Sequence, residues 1–199
     1  LERGWHAYQA GDVAEALSAY REAVAAAPDD ASLWYDLGCL YALREEPGNA
    51  RTALEHALTL DVRLAAAHDA LGQLDELDGQ TRQAQARYEQ ARQLEPENPK
   101  FLRHLIRVWL ALDRLEEARA GLRQLLAIVP DDLEARYQLG ILELRANAPD
   151  LAAVNFSRVV QSQPGHVMAW NGLGLAQARL GRYEEARQSL ERARQLAPD

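Results

Sequence analysis

The chain has 199 residues, a formal net charge of −8 and one cysteine, Cys39. An acidic balance opposes non-specific nucleic-acid binding, a lone thiol excludes an intrachain disulfide, and no apolar run approaches the roughly 20 residues that a membrane helix needs. Ala, Leu, Arg, Glu and Gln dominate while β-branched and aromatic residues are sparse, so an all-α chain is expected.

Residues recur with a period of 34. Leu37, Leu71, Leu105, Leu139 and Leu173 form one column, and Gly4, Gly38, Gly72, Ile106, Gly140 and Gly174 form the next. Ala16, Ala50, Ala84, Ala118, Ala152 and Ala186 are unbroken. Tyr20, Leu54, Tyr88, Leu122, Phe156 and Leu190 make a large apolar column, and Pro28, Val62, Pro96, Pro130, Pro164 and Pro198 follow it. Units repeated at such a period bury their apolar faces only against their neighbours. The order Leu-Gly, Ala, large apolar residue and Pro resembles the tetratricopeptide repeat. The last period carries it most fully, with Trp170, Leu173, Gly174, Gly181, Ala186, Leu190, Ala193 and Pro198. The resemblance covers essentially the whole chain. It implies an all-α, right-handed superhelical α-solenoid of tandem helix–turn–helix units, forming a single domain over residues 1–199. The repeats would be 1–30 (short of its first residues), 31–64, 65–98, 99–132, 133–166 and 167–199.

In chain order, the first repeat is expected to place helices near 1–9 and 12–26 around Gly11. The second places them near 31–43 and 47–60, with Pro47 in a first turn, where its missing N–H costs nothing. The third has 65–77 and 81–94 around Gly79. The fourth has 99–112 and 115–128, opened by Asn98 as cap and Pro99 as first helical residue. Ile106 takes the glycine place there, so this pair is expected to splay. The fifth has 133–145 and 149–162, with Pro149 repeating the role of Pro47 and Arg136 standing where Trp34 and Trp170 stand. The sixth has 167–179 and 183–196 around Gly181. Tyr183, Ala186, Leu190, Ala193 and Leu196 give its second helix an apolar face with no following helix, which suggests a fragment of a longer protein or end-to-end self-association.

Catalytic patterns do not appear. His6, His56, His68, His104 and His166 are scattered, and no Gly-rich phosphate loop or nucleophile elbow occurs. No enzymatic activity, cofactor or metal site is expected. Glu45-Glu46, Glu116-Glu117 and Glu184-Glu185 read as solvated acids near the starts of second helices, where the dipole favours them.

The resemblance implies that the first-helix face opposite the Leu-Gly stripe lines a concave groove. Chemistry there changes at every repeat. The candidate binding residues are Trp5, Tyr8, Tyr35, Asp69, Gln73, Lys100, Arg103, Arg107, Tyr137, Arg145, Asn171 and Arg179. Glu76 shares the column of Tyr8, and flanking columns add Leu43, Leu77 and Glu134. Aromatic residues gather at one end and basic residues in the last three repeats, which suits an extended peptide or partner helix with an acidic segment. The clamp that such repeats use on chaperone tails is not matched, because Arg103, Arg107 and Gln138 would be followed by Met168 and Gly172. Cys39 reads as a small, inert groove residue. The implied function is a non-catalytic scaffold or adaptor for a protein or peptide, without nucleic acid and without membrane insertion. The alternatives are a regulatory or substrate-presenting arm of a larger enzyme such as a transferase, or a self-assembly module. A soluble setting is expected, with the cytoplasm favoured over the periplasm.

Overall fold

The computed structural model describes residues 2–197, which contain twelve α-helices and no strand. They are α1 (Glu2–Gln9), α2 (Val13–Ala26), α3 (Ala31–Leu43), α4 (Pro47–Leu60), α5 (Ala65–Leu77) and α6 (Thr81–Leu94), then α7 (Pro99–Ala111), α8 (Leu115–Ile128), α9 (Leu133–Arg145), α10 (Pro149–Ser162), α11 (Val167–Arg179) and α12 (Tyr183–Leu196). The boundaries follow the periodic reading within a residue or so. Leu1, Pro198 and Asp199 lie outside the described residues, so the end member of the proline column is not placed.

Local chemistry sets the helix ends. Asp12, Asp30 and Asp132 accept hydrogen bonds from backbone N–H groups of the first turns that follow them. Asn98 accepts from Lys100 N at 3.1 Å, just before α7. The turn inside each repeat has one left-handed residue at the same place: Gly11, Glu45, Gly79, Asp113, Asn147 and Gly181, with φ between 56° and 79°. Three of these are not glycine and carry the steric cost of that conformation. Glu45 lies in the turn just before α4, whose cap is Glu46. Glu116, Glu117, Glu184 and Glu185 do occupy first turns.

A second recurring device joins each first helix to the loop before it. Trp34 Nε1 donates to the Pro28 carbonyl at 2.8 Å, and Trp170 Nε1 donates to Pro164 at 2.9 Å. Arg136 Nη2 reaches the Pro130 carbonyl at 2.6 Å, and His68 Nε2 lies 3.0 Å from that of Val62. Tryptophan, histidine and arginine thus make one bond at one repeat position. This explains why arginine can replace tryptophan there.

The chain forms two compact units, Leu1–Val108 and Trp109–Asp199, divided within α7. In the first, Leu17, Tyr20, Val24, Leu33, Leu37 and Leu40 form one buried cluster and Leu54, Leu71 and Leu74 another. In the second, Phe156, Val159, Val160 and Leu173 form the core. The alanine column is buried throughout, where a longer side chain would force neighbouring helices apart.

Polar side chains bridge successive repeats on the second-helix side. Arg21 Nε donates to Tyr41 Oη at 3.0 Å. Arg51 binds the buried Asp75 at 2.8 Å and Asp78 at 2.9 Å. In the second unit, the buried Glu143 is held by Arg123 at 2.5 Å and Arg119 at 3.6 Å. Burying a carboxylate is costly unless it is paired in this way.

Candidate functional site

In the first unit, α1 and α3 bound a hollow of about 700 Å³ that opens to solvent, with Trp5, Tyr8, Tyr35, Cys39 and Leu43 in its wall. Trp5 is 51% exposed and its ring centroid lies 5.9 Å from that of Tyr8. Leu43 is exposed as well, and Leu77, one period later, is 80% exposed. Isolated apolar residues on a surface need no explanation, but a contiguous group of them marks a contact surface.

The Cys39 thiol is pushed up by burial, against the lowering effect of the Tyr35 hydroxyl that donates to it. It is therefore not poised as a thiolate. The Tyr35 hydroxyl is itself pushed well above its ordinary value by burial and by Cys39. Burial, with Asp30 nearby, also raises the Asp36 carboxyl in the same hollow.

Beyond the hollow lie two polar networks. Asp69 on α5 is fully buried, which corrects its place among the groove residues. Its carboxylate accepts from His104 Nδ1 at 2.5 Å, Lys100 Nζ at 2.8 Å and Gln73 Nε2 at 2.9 Å. Burial opposes its charge, but His104 and Lys100 outweigh burial and hold the carboxyl below its usual range. Glu76 pairs with Arg107 and accepts from Tyr88 Oη at 2.5 Å. Burial again opposes the charge, and Arg107 and Tyr88 pull the carboxyl down.

Two of the five basic groove residues, Lys100 and Arg107, therefore neutralise acids supplied by α5. A third, Arg179, donates to the Leu144 carbonyl at 2.6 Å. That carbonyl lies at the C-terminal end of α9, where a cation meets the negative end of the helix dipole.

The remaining candidates are in varied settings. Arg103 and Gln73 are exposed on the first unit. On the second unit, Arg145 and Asn171 are exposed, while Tyr137 is half-buried against Phe156 and His166. Glu134 accepts from Gln138 at 2.8 Å. On α12, Tyr183 and Leu190 are exposed.

Histidine proves structural in three of five cases. His68 and His104 make the bonds above, and His166 Nδ1 accepts from Ala169 N at 3.1 Å at the start of α11. No group of three His, Cys, Asp or Glu side chains that could hold a metal ion occurs among the described residues, and no helix there is long and apolar enough to cross a membrane.

The single-site reading of the groove missed what completes these networks. His104 and Tyr88 were not among the binding candidates. Leucine recurs at Leu43 and Leu77, one repeat spacing apart, and both are exposed; that recurrence is the signal the sequence carries for them.

Comparison with known proteins agrees with this geometry. Two family profiles described as tetratricopeptide repeat match the chain, one over residues 1–63 and 137–199 and the other over 77–141. Superkiller protein 3 of Schizosaccharomyces pombe is 44% identical over 61 residues, which are 31% of this chain and only 4% of that protein. YrrB, described as a TPR protein with an unusual peptide-binding site, superposes with a TM-score of 0.82 at 25% identity, covering 91% of this chain and 93% of YrrB. PilF of Pseudomonas aeruginosa superposes with a TM-score of 0.76 at 18% identity, covering 98% of this chain and 89% of PilF, a likeness of fold alone. With its repeat columns, turns and helix pairs all in register, the chain belongs to the tetratricopeptide repeat family.

Proposed function

We propose that this chain is a non-catalytic interaction module that binds an apolar peptide segment or partner helix against the first-helix face of its first unit. Tetratricopeptide repeats are generally non-catalytic and bind peptides or proteins. The observation that carries the finer reading is the exposed group Trp5, Tyr8 and Leu43 around one hollow, with the exposed Leu77 one period after Leu43, in a separate recess beside Gln73, Glu76 and Arg107. Aromatic anchors of this kind supply much of the binding energy at interfaces. The peptide-binding site attributed to YrrB supports the same general role.

An acidic partner segment has less support on this unit than the sequence suggested. Lys100 and Arg107 already face the carboxylates of Asp69 and Glu76, and an incoming acid would have to compete with them.

The test is selection of binders from a random peptide library on the immobilised chain. Recovered sequences should be rich in aromatic and aliphatic residues. Binding should weaken by about tenfold or more in Trp5→Ala and in Leu77→Glu. Undiminished binding in both variants would overturn the assignment.

A further inference from the structure

Three of the five seams between successive repeats carry arginine in the places described above. Arg51 and Arg119 occupy one repeat position, and Arg21 and Arg123 occupy another four residues later. Each reaches a first-helix residue of the next repeat: Tyr41, Asp75 or Glu143, which also share one position. The seam after α6 holds Gln85 and Glu89 at these two positions, and the seam after α10 likewise lacks arginine at both. Its two arginine positions hold Ala153 and Ser157, and the facing position holds Gln177. Gln177 is largely buried and already satisfied, since its side-chain oxygen accepts from Ser189 Oγ at 2.7 Å.

A hollow of about 700 Å³, open to solvent, lies over Ala153 and Ser157, the positions that Arg119 and Arg123 hold in the seam after α8. Ala153, Val154 and Leu180 give it an apolar lining, and Arg158 and Arg182 stand in its wall with Asp150. Val154 is exposed. Neither guanidinium engages a hydrogen bond or ion pair among the described residues. Both arginines are exposed, so beside the apolar lining they offer two positive charges to a ligand, against the one negative charge of Asp150.

We infer that this recess on the second-helix side of the second unit is a docking site for a partner peptide segment in which an apolar side chain adjoins a carboxylate. The apolar side chain fills the space that arginine fills in other seams. The carboxylate meets Arg158 and Arg182, whose forked guanidinium groups suit it geometrically. The site is independent of the first-helix face proposed above and shares no residue with it.

The experiment gives this seam the pattern of the arginine-bearing seams. Ala153→Arg combined with Gln177→Glu reproduces the Arg119–Glu143 pair and fills the recess with the chain's own side chain. Peptides are selected from a random library on the parent chain carrying Leu77→Glu, then counter-selected on the same protein with the recess filled. Sequences that bind only the open form should carry an apolar–acidic pair. They should also lose about tenfold or more in affinity on Arg158→Glu with Arg182→Glu and weaken with added salt. Helicity of each variant is checked by circular dichroism. If the filled variant does not fold, Val154→Arg serves as the blocking change. Failure to recover any peptide that distinguishes the open form from a folded, blocked one would overturn the proposal. So would recovery of discriminating peptides that lack an acidic group. Loss of binding at the first-helix face has no bearing on either outcome.

Discussion

The ring of Tyr88 lies where a Cβ on Gly72 would stand, with Tyr88 Cε1 only 2.6 Å from that position. The same relation joins Gly4 to Tyr20, Gly38 to Leu54, Gly140 to Phe156 and Gly174 to Leu190, always sixteen residues apart. Glycine and the large apolar residue are therefore two halves of one packing unit, and neither column has meaning alone. Gly72→Ala should destabilise by about 1–2 kcal/mol, since overpacking a tight contact outweighs the gain in helix propensity. Gly48 on α4 meets nothing within 4 Å, so Gly48→Ala should instead be neutral or stabilise by up to about 1 kcal/mol. Urea midpoints of the two variants should move in opposite directions.

The left-handed turn residue gives a second test. Glu45 and Asp113 hold φ of 58° and 56° where three other repeats use glycine. Replacing either by glycine should raise stability by about 0.5–1 kcal/mol, because relief of strain exceeds the added chain entropy. Gly79→Ala should do the reverse, lowering it by about 1–2 kcal/mol. Thermal unfolding followed by circular dichroism reads both signs.

Arg136 tests the bond to the preceding loop. Its guanidinium does the work of the indoles of Trp34 and Trp170. Arg136→Trp should leave the denaturant midpoint nearly unchanged. Arg136→Ala should cost about 0.5–1 kcal/mol, because the exposed Pro130 carbonyl exchanges its guanidinium partner for water.

Acid should reveal Asp69. Its folded carboxyl titrates below the ordinary value because His104 and Lys100 outweigh the opposing effect of burial. The stability it contributes is complete above the unfolded pKa of about 3.9 and is lost as pH falls through the lower folded value. Asp69→Asn should therefore be less stable than the parent at neutral pH, by about 1–3 kcal/mol, and should show a flatter acid limb. Glu76 is shifted in the same direction, so the limb should flatten without vanishing. Urea midpoints between pH 2 and 7 measure both effects.

The helices were legible in the sequence because the residues that fix them leave little choice. Ala118 sits at a fully buried position, and Pro47 fits a first turn, so composition at those positions is constrained. The seams were not legible. Arg51 and Asp75 are 24 residues apart, and the equivalent pairings use tyrosine in one repeat and glutamate in another. Partners that vary in type form no column. Asp69 was misplaced for a related reason: helical phase puts it on the unpacked face of α5, but Lys100 and His104 from α7 close over it. An acid read by itself looks solvent-facing until its cations are located.

Cys39 gives the molecule a built-in reporter. It is the only thiol in the chain, and it stands in the wall of the hollow beside Tyr35 and Leu43. A thiol-directed fluorophore would label one place without further engineering. Because burial raises the thiol's pKa, labelling should be slow near neutrality and should accelerate as alkali forms the reactive thiolate. A molecule seated over the hollow would shield the sulfur, so the rate of alkylation becomes a direct gauge of occupancy before any partner has been named.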